Sequence, residues 1–401
     1  MKLGIDRLIQ DKILRTPLQG KRIALVAHPA SVTSALQHSL EALVASTDLK
    51  LTCVFGPQHG WRGEPQDNMI ETQDAWDPVY RIPIYSLYGD VRRPTREMLD
   101  VFDVVLVDLQ DVGCRIYTYI TTLLYMLEAC SGTEKALWVL DRPNPAGRPV
   151  EGMRLEQGWQ SFVGSASLPM RYGLTIGELA QWFVHHHHLD VDLQIITMAG
   201  YDPHQAPGYG WPLGELSWVN PSPNAGSLSM ARAFSGTVLI EGTTLSEGRG
   251  TTRALEVVGA PDLDVPHLLK LMHRLQSAWL QGCCIRACYF EPTFHKHAGQ
   301  SCHGLQFHVD HQAYDPTTFK PYRAVALLFK AIRQWSQAYD LWRDFLYEYE
   351  IDRLAIDVIN GGPRLREWVD DGQAEAGDLE AILVPEEQQW RDERRPFLLY
   401  P

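Results

Sequence analysis

The sequence predicts an α/β protein: a Rossmann-like, doubly wound, mostly parallel sheet, with a second, smaller α+β domain after it. Two observations carry this expectation. Short apolar runs of strand length alternate with helical stretches through the first two-thirds of the chain, which is the pattern of a parallel sheet covered on both faces. A polar segment containing Gly or Pro follows nearly every such run, at the carboxyl ends where open sheets of this kind hold their ligands.

The clearest strands are RIALVAH (22–28), LTCVF (51–55), DVVLVDL (103–109) and ALWVLD (136–141). Helices are expected between them at 34–45, 96–101 and 118–129. A further helix is expected at 174–184, where Thr175 and Glu178 have the spacing of a capping box. The four histidines that follow, 185–188, read as an exposed helix end, since adjacent residues cannot all face one ion. Beyond residue 261 the pattern changes to a helix at 267–281, strands at 285–290 and 304–309, and helices at 323–339 and 341–349. A Gly- and acid-rich loop is expected over 360–377, before the last helix. With 401 residues the chain is long enough for two domains, divided here as 1–260 and 261–401.

Composition narrows the function. The hydrophobic fraction of 45% and charged fraction of 21% are those of an ordinary globular protein, and the net charge of -13 disfavours a nucleic-acid backbone or an anionic membrane as partner. The seven cysteines form an odd set, several in apolar strand-like runs, as expected of free thiols in a reducing compartment. CCIRAC (283–288) matches no metal-ligand spacing and reads as core. The N-terminal MKLGIDRLIQDKILR lacks the apolar stretch and cleavage site of a secretory signal. No run approaches a membrane span. A cytoplasmic protein is expected.

The chemistry concentrates in the strand-end segments. FGPQHGWRGEPQDN (55–68) offers His59, Arg62, Glu64 and Asp67 on a Gly/Pro-shaped loop, groups able to donate, accept or carry protons. DLQDVGCRIYTY (108–119) places Asp108 and Asp111 near Arg115 and Tyr117, hydrogen-bonding groups beside an aromatic platform as a sugar surface needs. Asp111 is equally well read as a helix cap paired with Arg115. DRPNPAGRPVEG (141–152) holds Asp141, Arg142, Asn144 and Glu151 in a loop stiffened by prolines, although an Asp–Arg pair alone explains two of these. WVNPSPNAG (218–226) adds Ser222 and Asn224. IEGTTLSEGRGTT (240–252) adds Glu241, Glu247 and Arg249. Neither a P-loop nor GxGxxG occurs, and HExxH, paired CxxC and GxSxG are all missing, so the nucleotide, zinc and serine-hydrolase templates fail.

Taken together, FGPQHGWRG, PIYSLYG, RRPTREML, DLQDVGCRIYTYITT, VLDRPNPAGRPVEG, SFVG, GLTIGELA, PSPN and LIEGTTLSEGRGTT resemble the NamZ-type exo-β-N-acetylmuramidases, in the family's order and over residues 3–310. The resemblance implies a Rossmann-like domain, a smaller C-terminal domain, and a cleft between them. It implies hydrolysis of a terminal β-linked N-acetylmuramic acid from a small carbohydrate or muropeptide-derived substrate, without metal or organic cofactor. The sugar's lactyl carboxylate would suit Arg62, Arg115, Arg142 or Arg249.

The chain departs from the family in two places: EPQDNM (64–69) is not the family's usual continuation of this loop, and Gln58 stands where FGPEHG-type motifs carry a Glu, the acid the resemblance implies. An amide cannot protonate a glycosidic oxygen. Glu64 is then the candidate acid with His59 beside it, and Asp108 or Asp111 the base or charge stabiliser. A sugar-binding homologue without turnover, a hydrolase of a different glycoside, and a metal-dependent hydrolase using His28 and His59 remain the alternatives.

Overall fold

In the computed structural model, which describes residues 1–63, 65–66 and 69–400, the first half is a seven-stranded sheet. The chain enters through α1 (Gly4–Gln10) and α2 (Lys12–Arg15) and then forms β1 (Arg22–Val26), α3 (Ser39–Ala45) and β2 (Lys50–Gly56). It continues through β3 (Ala75–Asp77), β4 (Ile82–Ser86), α4 (Arg96–Leu99), β5 (Val104–Val107), α5 (Tyr119–Cys130) and β6 (Ala136–Leu140). A two-stranded hairpin, β7 (Glu151–Arg154) and β8 (Pro169–Arg171), precedes α6 (Ile176–His186) and β9 (Asp192–Ile196).

Strand order is β3-β4-β2-β1-β5-β6-β9, parallel throughout except for β3 against β4. From β1 the chain winds first to β2 and β4, then to β5, β6 and β9 on the other side. The topological switch therefore lies at β1, and the crevice opens beyond the ends of β1, β2 and β5. Side chains alternate between two cores: Ala24 and Val26 join Phe55, Val107 and α5, while Ile23 and Leu25 join Leu106, Leu140 and α1. Both faces are apolar, and this is why these strands read as unbroken hydrophobic runs.

The second half begins with α7 (Leu228–Thr237). A three-stranded antiparallel sheet follows, made of β10 (Val257–Ala260), β11 (Cys284–Phe290) and β12 (Cys302–His308), with β12 central. Helices α8 (Val265–Gln276), α9 (Pro321–Trp335), α10 (Ala355–Asn360), α11 (Arg364–Asp370) and α12 (Ala376–Arg394) complete it. Buried Trp390 of α12 packs edge-on against Trp182 of α6 at 5.1 Å and donates its indole N–H to the Tyr172 carbonyl at 2.8 Å. The last helix thus straps the second half onto the first.

The fold class is as the sequence predicts, as are the four main strands and the Thr175–Glu178 capping box. Four details differ, the first being that the helix expected at 34–45 starts only at Ser39, after a turn closed by the Val32–His38 bridge. Residues 341–349 form no helix: Glu348 and Tyr349 have φ of 47° and 67°, in a turn closed by a bridge between Tyr347 and Glu350. Residues 360–377 are not a plain loop, because Gly361 at φ 78° ends α10 and α11 starts three residues later. A side chain at Gly361 would also strike the Arg115 guanidinium. CCIRAC lies on β11, whose outer residues Arg286 and Ala287 face solvent, so it is only partly core.

Candidate active site

A narrow cleft forms where the loops after β2 and β5 meet segments of the second half. Gln58, His59, Tyr117, Thr118 and Tyr119 come from the first, and Glu241, Arg249, Tyr347 and Glu348 from the second. Ser222 and Asn224 close one side, and Ile116, Phe234 and Val238 supply apolar wall. The room inside is about 50 Å³, less than the several hundred Å³ typical of ligand sites.

The loop 56–63 turns sharply at His59, whose backbone is left-handed (φ 67°) and whose Nδ1 lies 3.0 Å from the Pro65 carbonyl. This places Gln58 with its amide oxygen accepting from Thr118 Oγ1 at 2.7 Å and its amide nitrogen donating to Glu348 Oε1 at 3.3 Å. Tyr88 donates to the same carboxylate, 3.0 Å from Oε2. Its ring carries the Arg92 guanidinium 4.0 Å from the centroid. Burial pushes the Glu348 carboxyl up to about 7, against the downward pull of the hydrogen bonds from Tyr88 and Gln58.

The opposite wall is an ion network. Arg249 pairs with Glu241, which also accepts from the Tyr347 hydroxyl at 2.8 Å. Behind it, Glu247 accepts from Arg249 Nε at 3.0 Å and holds Lys296 at 2.9 Å. Burial acts to raise the Glu247 carboxyl, but Lys296, His295 and Arg249 outweigh it and keep it well below the usual range. Glu247 therefore positions Arg249 from outside the cleft.

Of the residues the sequence singles out, Gln58, His59, Tyr117, Ser222, Asn224, Glu241 and Arg249 line the cleft. Asn224 also ties its wall to the first loop by donating to the Gln66 carbonyl at 2.7 Å. Glu64 and Asp67 lie outside the described residues. Arg62 is exposed on the same loop.

The remaining candidates are placed elsewhere. Asp108 accepts both arms of Arg142, at 2.6 and 2.8 Å, and the Ser39 hydroxyl, which clamps the ends of β5 and β6. Asp111 accepts from Tyr172 and from the Gly113 amide, and burial pushes it up to about 6. Arg115 donates to the carbonyls of Ile359 and Asn360. Asp141 accepts from Thr175, Gly177 and Tyr400, joining the chain's end to the sheet. Asn144 bridges the Leu174 carbonyl and the Ala146 amide. Glu151 caps α9 by accepting from the Tyr322 and Arg323 amides.

His28 has both ring nitrogens engaged: Nε2 accepts from the Gln110 amide at 2.9 Å, leaving Nδ1 to donate to the Pro221 carbonyl at 3.1 Å. Burial keeps it neutral. No group of three or more His, Cys, Asp or Glu side chains is arranged to hold a metal ion among the described residues.

Glu348 is the cleft carboxyl that the sequence reading misses. The aromatic–acid alternation Tyr347-Glu348-Tyr349-Glu350 has period two, which argued against the helix expected there.

A buried carboxyl whose pKa burial raises, beside a second carboxylate and an aromatic wall, in a cleft between an α/β half and an α+β half, is an arrangement of the kind glycoside hydrolases use. The comparisons with known proteins specify it further. The N-terminal model of the exo-beta-N-acetylmuramidase NamZ family matches residues 23–229 and its C-terminal model residues 232–400, so the chain belongs to this family. It is 37% identical over 404 residues to the peptidoglycan beta-N-acetylmuramidase NamZ of Bacillus subtilis (strain 168), covering 100% of this chain and 91% of that one. Among solved structures, a DUF1343 family protein of Bacteroides fragilis NCTC 9343 superposes with a TM-score of 0.86 at 26% identity, covering 100% and 99% of the two chains. A second from the same organism gives 0.75 at 23%, covering 100% and 98%, a likeness of fold.

Proposed function

We propose that the protein hydrolyses the β-glycosidic bond of a non-reducing terminal N-acetylmuramic acid in peptidoglycan fragments, with Glu348 as the general acid. The observation that carries this reading is the Glu348 carboxyl, buried in the cleft, where burial pushes its pKa up to about 7. It can pass its proton to the leaving oxygen as the glycosidic bond breaks.

Gln58 serves as a positioning residue: its amide, oriented by Thr118, holds Glu348 by hydrogen bond. Glu241, fixed by Arg249 and Tyr347, is the carboxylate placed to stabilise positive charge at the anomeric carbon. Water completes the reaction: its oxygen bonds the anomeric carbon as the glycosidic C–O bond is lost, and one of its protons passes to the Glu348 carboxylate, which restores the acid. Tyr117 and Tyr119, 4.7 Å apart and edge to face, offer the aromatic surface for the ring. Arg62 is the cation available to the lactyl carboxylate, since Arg115 and Arg142 are held in buried internal contacts and Arg249 is paired with Glu241 and Glu247.

We also place the protein in the cytoplasm. All seven cysteines are free, and no described helix is long and apolar enough to cross a membrane.

The test is turnover of a chromogenic β-N-acetylmuramide, with the β-N-acetylglucosaminide as control, by the parent and by Glu348→Gln. Muramide-selective release that is lost in the variant supports the reading. A parent that binds the muramide without releasing sugar, or a fully active Glu348→Gln, overturns it.

A further inference from the structure

A cavity of about 670 Å³ lies away from the cleft, between the loop ending at Val150, the start of α9 and the C-terminal half of α12. Its apolar wall includes Val150, Tyr209, Phe319 and Val384. Its charged wall holds Arg148, Arg171, Arg323, Arg391, Arg394 and Lys320, against the carboxylates Glu151 and Glu387.

Two of the cations are matched. Arg148 binds Glu178 with both arms, and Arg323 is shared by Glu151, Glu380 and Glu387. The rest are not. Arg171 (0% exposed) donates only to the carbonyls of Ala146 and Phe319, and Arg394 (9%) only to those of Tyr172, Gly173 and Arg148. Arg391 reaches Glu387 only at 3.4 Å, and Lys320 makes no ion pair among the described residues. Burial, then neighbouring Arg148, push the Arg394 guanidinium down to about 9. Neither Arg171 nor Arg394 makes a salt bridge among the described residues: Glu151 and Glu178 act on them only electrostatically, from beyond contact distance, and buried cations without a contacting counter-ion are costly.

We propose that this cavity is a second binding site, for a small organic anion. A carboxylate or phosphate group would meet Lys320, Arg391 and the edge of Arg394, with Arg171 adding positive charge from behind the wall, and its carbon body would lie against Phe319 and Tyr209. Carboxylate and phosphate share the chemistry that the guanidinium fork recognises. The apolar wall selects a ligand with a carbon skeleton over a bare ion.

Isothermal titration of the full-length protein with inorganic phosphate, succinate and glucose 6-phosphate tests this. The comparison protein is the rim variant Lys320→Glu/Arg391→Glu, and the control is Glu348→Gln. The expected result is saturable binding of succinate or glucose 6-phosphate more tightly than inorganic phosphate. The affinity should fall about tenfold or more in the rim variant and stay the same in Glu348→Gln. Whichever of the two organic anions binds tighter identifies the charged group. Arg391→Gln alone carries the same test should the double variant fail to fold. No binding of any probe, binding untouched by the rim changes, or binding lost in Glu348→Gln would each overturn the assignment.

Discussion

The Gln58 amide donates to Glu348 Oε1 across 3.3 Å, joining residues 290 positions apart and from opposite halves of the molecule. An amide here does something a carboxylate could not, since it donates to its neighbour without competing for the neighbour's proton. A Gln at position 58 is therefore compatible with an acid at 348. In Gln58→Glu, two carboxyls would face each other at this distance and share a proton. The basic limb of the kcat–pH profile, near pH 7 in the parent, should move up by about one unit. Glu348→Gln should lower kcat by about two to four orders of magnitude and remove that limb. A profile unchanged in both variants would show that Glu348 is not the titrating group.

Stability should carry the same signature. Glu348 has a folded pKa of about 7, raised above its unfolded value, so the folded state holds its proton more tightly. Its contribution is fully present below about pH 4.5 and is lost as pH rises through about 7. Glu348→Gln should therefore be more stable than the parent at pH 8 by up to roughly 3 kcal/mol, with the gain shrinking toward pH 5. Denaturant unfolding at the two pH values measures it, and an equal difference at both would contradict the assignment.

Specificity for the lactyl group should rest on Arg62. Its exposure on the loop beside His59 leaves it free to meet an incoming anion. Arg62→Ala should raise KM for the muramide about tenfold, the worth of one modest charge-assisted contact, and leave KM for the glucosaminide as it was. Equal changes for both sugars would remove Arg62 from lactyl recognition.

Asp108 should prove to be architecture. Asp108→Asn leaves the Arg142 guanidinium buried with its bidentate partner weakened, a change worth about 3 kcal/mol of stability. Tm should fall clearly, while the protein that remains folded keeps its KM. A collapse of kcat at unchanged Tm would instead return Asp108 to the chemistry.

These contrasts mark what sequence could and could not convey. The sheet was legible because β1, β2, β5 and β6 are apolar on both faces, and the crevice was legible because strand ends in such sheets must converge. Asp108, Asp111, Asp141 and Glu151 look catalytic in one dimension, being acids in Gly/Pro-rich strand-end loops. Their actual partners, Arg142, Tyr172, Tyr400 and the start of α9, lie 34 to 259 residues away. Glu348 was hidden for the opposite reason. Its surroundings are Gln58 and Tyr88 from the other half, and its left-handed turn contradicts the helical propensity of its neighbours.

The tightness of the cleft has a mechanical corollary. With room for about 50 Å³, the cleft has to widen to admit a sugar, and if the two halves part to do so, water reaches Glu348. Hydration withdraws the cause of its raised pKa, so the open protein surrenders the proton to solvent and regains it on shutting. Catalytic competence is then gated by how completely the halves reclose. Substrates with aglycones too bulky to permit closure should bind and dissociate uncut, however well their terminal sugar fits.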